Sequence, residues 1–423
     1  MRQVVAVSWT MPPIVLPRSI QVSRTMNALA ARGWDTHVVM APHDSNNPSV
    51  PRDDALAALY ANACKLKIVE FREEREPSNW VRRQLRRWKP PANLDDANWI
   101  ERCARQALKL LHRQEGVFVS FAQPWIDHLV GLEVKRISPS TPWVAHFSDP
   151  WTDSPYYDPA DPRLELWREQ ERAVIEKADA VVFVTAETAD LVMAKYPGDW
   201  RAKVHIVPHG FDCEILGPVL AKPATGTDQA RGPLRMVYTG NIYEGRREPL
   251  PLFDALAELK REGALQDRFQ LDIYGNSPAA TADYAHERGL DDLVRFHRPV
   301  GYLESLSLIV AADSLLLLDA TSEVNVFLPS KIVDYLMAGK TIFGLTPPVG
   351  ASATVLRRTG HLVVDLDDRE AIRQAVLSAI DLHERGLPGS TIDHEAVSMF
   401  DIRQTTERFE NALLAARAKR NRA

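Results

Sequence analysis

A cation and a carboxylate stand three residues apart at the start of a short predicted helix in LPSKIVDYLMAGK, residues 328–340. Ser330 is typical of a helix start, and Gly339 is typical of the residue just past a helix end. At this position Lys331 could bind an anion together with the free N–H groups of the helix N-terminus. Asp334 could accept hydrogen bonds from ligand hydroxyl groups. A solvated Lys–Asp pair on the surface is the alternative that these residues leave open.

A second candidate anion site lies in the loop GNIYEGRREP (240–249), which follows the apolar run LRMVYTG. Gly240 allows the backbone to approach a ligand closely, and the guanidinium groups of Arg246 and Arg247 suit phosphate oxygens. Arginines before a helix are usually only solvated. Two cationic loops at one sheet edge are a stronger signal, because a diphosphate needs several hydrogen-bond donors.

A histidine and an aspartate mark the end of another apolar run, PWVAHFSDPW (142–151). His146, if it lies at a ligand-facing sheet edge, could contact a reacting hydroxyl group, and Asp149 follows three residues later. A hydrogen-bonded core histidine, and an aspartate that shapes the turn before Pro150, are the alternatives.

The segment WVRRQLRRWK (80–89) contains five basic residues and no acidic one. On a helix its tryptophans would share a side flanked by arginines, which suits contact with anionic lipid headgroups. An amphipathic helix packed on its own domain is the alternative. The residues proposed for membrane or acceptor contact are Trp80, Arg82, Arg83, Arg86, Arg87 and Trp88.

Apolar, β-branched runs alternate with helical patterns in both halves of the chain, as expected of parallel sheets built from βαβ units. Ligands bind such sheets beyond the carboxyl ends of the strands, so the loops after the strands are the places to seek chemistry. Periodicity is lost where Gly, Pro and Thr accumulate, which predicts a linker. We therefore predict an α/β protein with two doubly wound, Rossmann-like domains facing a cleft. The predicted parts are domains at 1–212 and 234–395, a linker at 213–233 and a C-terminal helix within 396–423.

Composition narrows the class of protein. A chain of 423 residues, 45% hydrophobic and 25% charged, allows two domains, because single cores rarely exceed about 250–300 residues. A formal net charge of −5 gives no global sign of nucleic-acid binding. Three widely spaced cysteines suit neither a disulfide framework nor a zinc site, and no apolar run is long enough for a signal peptide or a membrane span.

Two nucleotide-binding motifs are missing from the sequence. Neither G-x-G-x-x-G nor G-x-x-x-x-G-K-[ST] occurs, which argues against a dinucleotide fingerprint and a P-loop. The carboxylates Asp365 and Asp367 form a DLD triplet at a predicted strand end, where helix capping explains them more simply than metal binding. We predict no metal site.

Four motifs in order resemble those of family 4 of the retaining glycosyltransferases, which have the GT-B fold. They are FSDPWTD (147–153), VPHGFD (207–212), VYTGNIYEGRREPLPLFDAL (237–256) and LPSKIVDYLMAGK (328–340). The resemblance covers nearly the whole chain, and DPW after the active-site strand is similar to one subset of the family. It implies an N-terminal acceptor-side domain, a C-terminal nucleotide-sugar-binding domain, and a final helix that crosses back to the first domain.

The resemblance also implies roles for individual residues. Arg246 or Arg247, together with Lys331, would hold the diphosphate of the donor, and Asp334 takes the position of a ribose-binding glutamate. His146 takes the position of the active-site histidine, with Asp149 beside it as a second catalytic candidate. Gly240 joins the donor-binding set.

Two positions depart from the family pattern. The family commonly has two glutamates separated by seven residues, but Val326 occupies the earlier position here. Glu323, three residues away, is included in the donor-binding set as its replacement. The first loop is normally rich in glycine but reads LPRSIQ, and Arg18 is also included in the donor-binding set.

The resemblance therefore implies a metal-independent hexosyltransferase without a cofactor. It would move a sugar from a nucleotide diphosphate to a hydroxyl acceptor, expected to be lipid-linked, with retention of configuration. The expected setting is surface polysaccharide or glycan biosynthesis, in the cytoplasm or on the inner face of the membrane. The alternatives are a catalytically idle GT-B subunit that supports an active partner, which Val326 favours, and a sugar-nucleotide epimerase of the same fold. Base, sugar, acceptor and oligomeric state have no signature in the sequence.

Overall fold

The computed structural model describes residues 2–45, 50–71, 94–112, 115–220, 232–320 and 325–420. The chain divides into two compact units. Unit 1 comprises Met1–Gly210 and Ile402–Ala423, and unit 2 comprises Phe211–Asp401. Each unit is built around one parallel sheet with helices between successive strands, so the predicted α/β class with two Rossmann-like folds is confirmed.

The strands are short runs dominated by apolar residues, and most are buried. In unit 1 they are β1 (Gln3–Val7), β2 (Asp35–Met40), β3 (Lys65–Ile68), β4 (Gly116–Ala122), β5 (Trp143–Phe147), β6 (Ala180–Phe183) and β7 (Val204–Ile206). In unit 2 they are β8 (Leu234–Thr239), β9 (Phe269–Tyr274), β10 (Val294–His297), β11 (Ser314–Leu318), β12 (Thr341–Thr346) and β13 (Leu362–Asp365). The sheet orders are β3-β2-β1-β4-β5-β6-β7 and β10-β9-β8-β11-β12-β13.

The helices follow the apolar periodicity of the sequence. In chain order they are α1 (Pro17–Ala31), α2 (Asp54–Leu59), α3 (Leu94–Leu110), α4 (Ile126–Ile137), α5 (Arg163–Lys177), α6 (Ala186–Met193), α7 (Cys213–Leu220), α8 (Leu250–Arg261), α9 (Ala279–Glu287), α10 (Tyr302–Ala311), α11 (Lys331–Met337), α12 (Ala351–Arg358), α13 (Arg369–Glu384), α14 (His394–Ser398) and α15 (Ile402–Arg420). No helix in the described part of the chain is long and apolar enough to cross a membrane.

The start of the predicted linker is helical, which corrects the sequence-based prediction. Helix α7 occupies Cys213–Leu220, with the Asp212 carboxylate accepting a hydrogen bond from the Glu214 N–H at 3.1 Å. Leu216 is fully buried. An N-capping aspartate and a buried leucine stabilise this helix despite Gly217 and Pro218, the residues that suggested a break.

The last helix belongs to unit 1. Phe409 and Leu413 of α15 are buried in the same apolar cluster as β1 and β4. Glu410 accepts hydrogen bonds from Arg32 at 2.7 Å and from the Trp34 indole N–H at 3.0 Å. Apolar burial and a charged anchor therefore fasten the C-terminal helix to the first unit.

Candidate functional site

In unit 2, Lys331 lies against an aromatic ring rather than standing free in solvent. Its Nζ lies 3.7 Å from the centroid of the Tyr238 ring, and its side chain is half-buried. Helix α11 begins at Lys331, as expected, although Ser330 is itself helical in backbone conformation and makes no side-chain capping hydrogen bond. The alternative of a solvated surface cation is therefore wrong for Lys331.

Gly240 provides the space for the Lys331 side chain. Its φ is +127°, and a Cβ at this position would lie 2.5 Å from Lys331 Nζ. The Gly240 N–H donates to Tyr274 O at 2.7 Å, which fixes the loop after β8 to the end of β9. The positive φ favours glycine here, and a Cβ would force the Lys331 ammonium group to move.

The structure separates the two arginines of the 240–249 loop. Tyr243 and Arg247 form an isolated antiparallel bridge, and this turn directs Arg247 inward while Arg246 is exposed. Arg247 Nε is buried with no hydrogen-bond partner in the described part of the chain. The charge of Arg247 acts on both Tyr238 and Lys331. Sequence reasoning left the two arginines as equal candidates; the structure favours Arg247, whose charge acts on Lys331.

Two cations therefore share one partly buried position. Burial lowers the pKa of Lys331 well below its usual value, and the Arg247 guanidinium lowers it further. The nearby carboxyl of Asp319 is also buried, which raises its pKa. An anion that bound here would relieve the repulsion between Lys331 and Arg247 and supply acceptors for their N–H groups.

Asp334 lies one turn into α11. Its Oδ1 accepts a hydrogen bond from the Tyr302 hydroxyl group at 3.3 Å, so α10 fixes its orientation. Val326 is buried and provides no carboxylate at the family's earlier glutamate position. Glu323 lies outside the described residues.

In unit 1, His146 on β5 is buried, and its Nδ1 has no hydrogen-bond partner in the described part of the chain. Its ring packs against Phe121, Phe409 and His209. Burial lowers its pKa well below the usual value, and the positive charge of Arg18 lowers it further. The imidazole is therefore neutral at pH 7, which is the form that can accept a proton.

Asp149 and Arg18 meet through Ser148, directly after β5. The Ser148 hydroxyl donates to Asp149 Oδ2 at 2.9 Å, and Arg18 Nη2 donates to Ser148 Oγ at 2.5 Å. Arg18 lies in the first turn of α1. The structure thus brings together His146, Asp149 and Arg18, which the sequence pattern had divided between catalytic and donor-binding sets.

Sequence reasoning missed three buried polar residues near this cluster. Asp127 and His128 begin α4, and His209 lies in VPHGFD. All three are buried, and the charge of Arg18 acts on each of them. Burial raises the pKa of Asp127 to about 8. An acidic residue and a histidine side by side in the apolar context QPWIDHLV were the signal that could have identified two of them.

The remaining predicted residues can be placed only in sequence. The Trp/Arg segment Trp80, Arg82, Arg83, Arg86, Arg87 and Trp88 lies outside the described residues.

In the part of the chain that the structure covers, no group of three His, Cys, Asp or Glu residues could hold a metal ion.

Comparisons with known proteins agree with this organisation. The model of Glycosyltransferase Family 4 matches residues 19–215. A D-inositol 3-phosphate glycosyltransferase of Kribbella flavida is 28% identical over 223 residues. That match covers 50% of this chain and 51% of the relative, so it spans about half the length of each protein.

Solved structures share the fold over nearly the full chain. The lipopolysaccharide outer core galactosyltransferase WaaB has a TM-score of 0.59 at 13% identity, covering 98% of this chain and 99% of that one. Sucrose-phosphate synthase from Thermosynechococcus elongatus has a TM-score of 0.58 at 17% identity, covering 97% of this chain and 98% of that one. A trehalose-6-phosphate structure from E. coli, bound with UDP-2-fluoro glucose, has a TM-score of 0.63 at 14% identity. The match covers 97% of this chain and 98% of that one. These likenesses concern the fold alone. The family match over 19–215 shows that this part of the chain is similar to Glycosyltransferase Family 4, and the solved structures show that the chain has the GT-B fold.

Proposed function

We propose that this protein is a retaining glycosyltransferase that moves a hexose from a nucleoside diphosphate to a hydroxyl acceptor. The observation that carries the proposal is the pairing of Lys331 with Arg247 beside Gly240. When the glycosidic bond breaks, the leaving diphosphate gains negative charge. Cations already held in place stabilise that charge without a reorganisation cost.

The donor-binding residues follow from this position. Lys331 and Arg247 hold the diphosphate, and Asp334, oriented by Tyr302, accepts from the ribose hydroxyl groups. These cations supply the positive charge, so the proposed reaction needs neither a metal nor a cofactor. A uridine nucleotide is the first donor to test, because the E. coli fold neighbour is bound with UDP-2-fluoro glucose.

Unit 1 is the proposed acceptor side. His146 is neutral because of its burial, so it can accept a hydrogen bond from a sugar hydroxyl group. Asp149, held by the Ser148 hydroxyl group, is the second catalytic candidate. We propose a lipid-linked acceptor, surface polysaccharide assembly, and a peripheral position on the inner face of the membrane, all from the family resemblance.

The experiment that tests the activity is incubation with UDP-, GDP- and dTDP-hexoses, with and without acceptor mixtures extracted from membranes. Release of nucleoside diphosphate with chelator present, and an NMR coupling constant showing an unchanged anomeric configuration, are expected. A nucleotide sugar isomerised at C2 would instead identify an epimerase. Donor that binds but is neither hydrolysed nor transferred would identify the idle subunit that Val326 suggests.

A further inference from the structure

The guanidinium group of Arg18 is buried without enough acceptors. Arg18 is 7% exposed, and Nη2 donates to Ser148 Oγ. Nε and Nη1 are both buried with no hydrogen-bond partner in the described part of the chain. A guanidinium has five N–H donors, and leaving several of them unpaired away from water is unfavourable.

The carboxylates near Arg18 do not fill this deficit. Asp149 acts on it by charge, and Asp149 Oδ2 accepts a hydrogen bond from the Ser148 hydroxyl group. Asp127 Oδ2 accepts from the Trp9 N–H at 2.9 Å, while Oδ1 is buried with no hydrogen-bond partner among the described residues. Because burial raises the pKa of Asp127 to about 8, this carboxyl is mostly protonated at pH 7. Protonated Asp127 is a hydrogen-bond donor rather than a counter-charge.

The other polar groups around Arg18 are also short of partners. His146 Nδ1 and His128 Nε2 are buried and unpaired within the described residues, and Arg18 acts on both rings. The cluster therefore combines one permanent cation with several unpaired polar atoms, all within unit 1.

We propose that Arg18 binds an anionic group, a phosphate or a carboxylate, carried by the acceptor. The proposal rests on the proposed function, since it names the class of acceptor. Parallel N–H groups lie on the Nη1/Nη2 edge and on the Nε/Nη2 edge of the guanidinium, and either edge matches two oxygens of a phosphate or a carboxylate. The bound anion would supply an acceptor to Nη1 or to Nε and place the rest of the acceptor beside His146.

This assignment differs from the donor role that the sequence suggested for Arg18. The atoms that contact or act on Arg18 come from Ser148, Asp149, Asp127 and three histidines of unit 1. Unit 2 has two cations of its own that act on each other, Lys331 and Arg247. The test must therefore separate an acceptor anion from the donor diphosphate.

The first measurement is titration with inorganic phosphate and, separately, with glucuronate, by calorimetry at constant ionic strength. It uses the Arg247→Ala/Lys331→Met protein, which lacks the two cations proposed to hold the donor diphosphate. We expect at least one of these anions to bind, and Arg18→Gln in the same background to weaken that binding at least tenfold. No binding of either anion, or equal binding with and without Arg18→Gln, would overturn the proposal.

The second measurement distinguishes the two sources of anion. In the otherwise unaltered protein, Arg18→Gln should leave UDP affinity within about twofold. A tenfold loss of UDP affinity would assign Arg18 to the donor diphosphate and overturn the proposal. Failure of the unaltered protein to bind any nucleoside diphosphate would contradict the proposed function but leave the anion titration interpretable.

A further variant covers the case in which Arg18→Gln fails to fold. Ser148→Ala removes the hydroxyl group that accepts from Arg18 Nη2 and leaves Nε and Nη1 intact. Anion binding in the Arg247→Ala/Lys331→Met background should then stay within about threefold. Loss of binding with Ser148→Ala, despite an unchanged melting temperature, would show that the serine rather than the guanidinium holds the anion.

Discussion

At the residue scale, the protein places like charges together and buries groups that normally titrate in water. Lys331 and Arg247 share a partly buried position, and Arg18 lies among histidines that are neutral at pH 7. Such arrangements lower stability in the absence of ligand. Sites that bind or transform ligands commonly contain groups with perturbed pKa values, which gives these positions a functional rationale.

Nucleoside diphosphate binding should depend on the ionisation of Lys331. Its pKa is depressed in the free protein, and a bound diphosphate would raise it again, so binding takes up protons where Lys331 starts out neutral. UDP affinity should fall as pH rises through the depressed pKa. Calorimetry in buffers of different ionisation enthalpy measures the proton uptake. Lys331→Met should abolish this uptake without lowering the melting temperature of the ligand-free protein; uptake that persists in this variant would contradict the assignment.

At the element scale, the sites are formed by loops that follow parallel strands. Gly240 follows β8, α11 follows β11 after a loop, and Ser148 and Asp149 follow β5. The alternation of apolar runs predicted these positions, because parallel strands bring their carboxyl ends to one edge. Helix α11 was also predictable, since its apolar stripe and Gly339 mark a short amphipathic segment.

Other features depend on contacts that the sequence does not encode locally. Arg246 and Arg247 have the same chemistry, and the bridge between Tyr243 and Arg247 decides which of them turns inward. Helix α7 was not predicted, because Gly217 and Pro218 have low helix propensity. Burial of the Asp127 carboxyl depends on packing from distant parts of unit 1, which local periodicity does not report.

The loop after β8 should tolerate a methyl group at one glycine and not at the other. Gly240→Ala puts a Cβ 2.5 Å from Lys331 Nζ, so we expect at least a tenfold loss of UDP affinity. Gly245→Ala is the matched control: its φ is also positive, at +66°, but no atom of the described residues lies within 4 Å of the added Cβ. It should cost about 1 kcal/mol of stability and leave UDP affinity within about twofold. Equal losses of UDP affinity in the two variants would show that Gly240 matters only for loop conformation.

At the scale of the whole molecule, the two units differ in their buried titratable groups. Unit 1 contains His128, His146 and His209, all buried with depressed pKa values. All ten tryptophans of the chain lie between residues 9 and 200, in the part of the sequence assigned to unit 1. Tryptophan fluorescence therefore reports the unfolding of this unit separately from unit 2.

Unit 1 should lose stability in acid. Below pH 6.5 the unfolded chain protonates these three histidines while the folded unit does not, so the free energy of unfolding falls as pH decreases. Asp127 acts in the opposite direction, because its raised pKa of about 8 means that the folded state holds the extra proton. The three histidines together change the free energy of unfolding more than Asp127 does. The urea midpoint from tryptophan fluorescence should therefore be lower at pH 5.5 than at pH 7.5. An unchanged or higher midpoint would show that the histidines gain protons in the folded unit.

Membrane association remains a prediction from the sequence. If the 80–89 segment binds anionic headgroups, the protein should sediment with anionic vesicles in a salt-dependent manner, each basic residue contributing on the order of 1 kcal/mol. Changing Arg82, Arg83, Arg86 and Arg87 to Glu should abolish sedimentation. Equal binding to neutral vesicles would contradict an electrostatic contact.

The most direct test of the donor site compares two adjacent arginines. Arg247 is half-buried and acts on Lys331, whereas Arg246 is exposed. We expect Arg247→Ala to weaken UDP binding, measured by calorimetry, by about 1.5–3 kcal/mol, or roughly 10- to 150-fold. Arg246→Ala should change UDP affinity by less than about threefold, with the melting temperature of both variants checked in parallel. Equal losses from the two substitutions, or no loss from Arg247→Ala in a folded protein, would contradict the claim that Arg247 and Lys331 together hold the diphosphate.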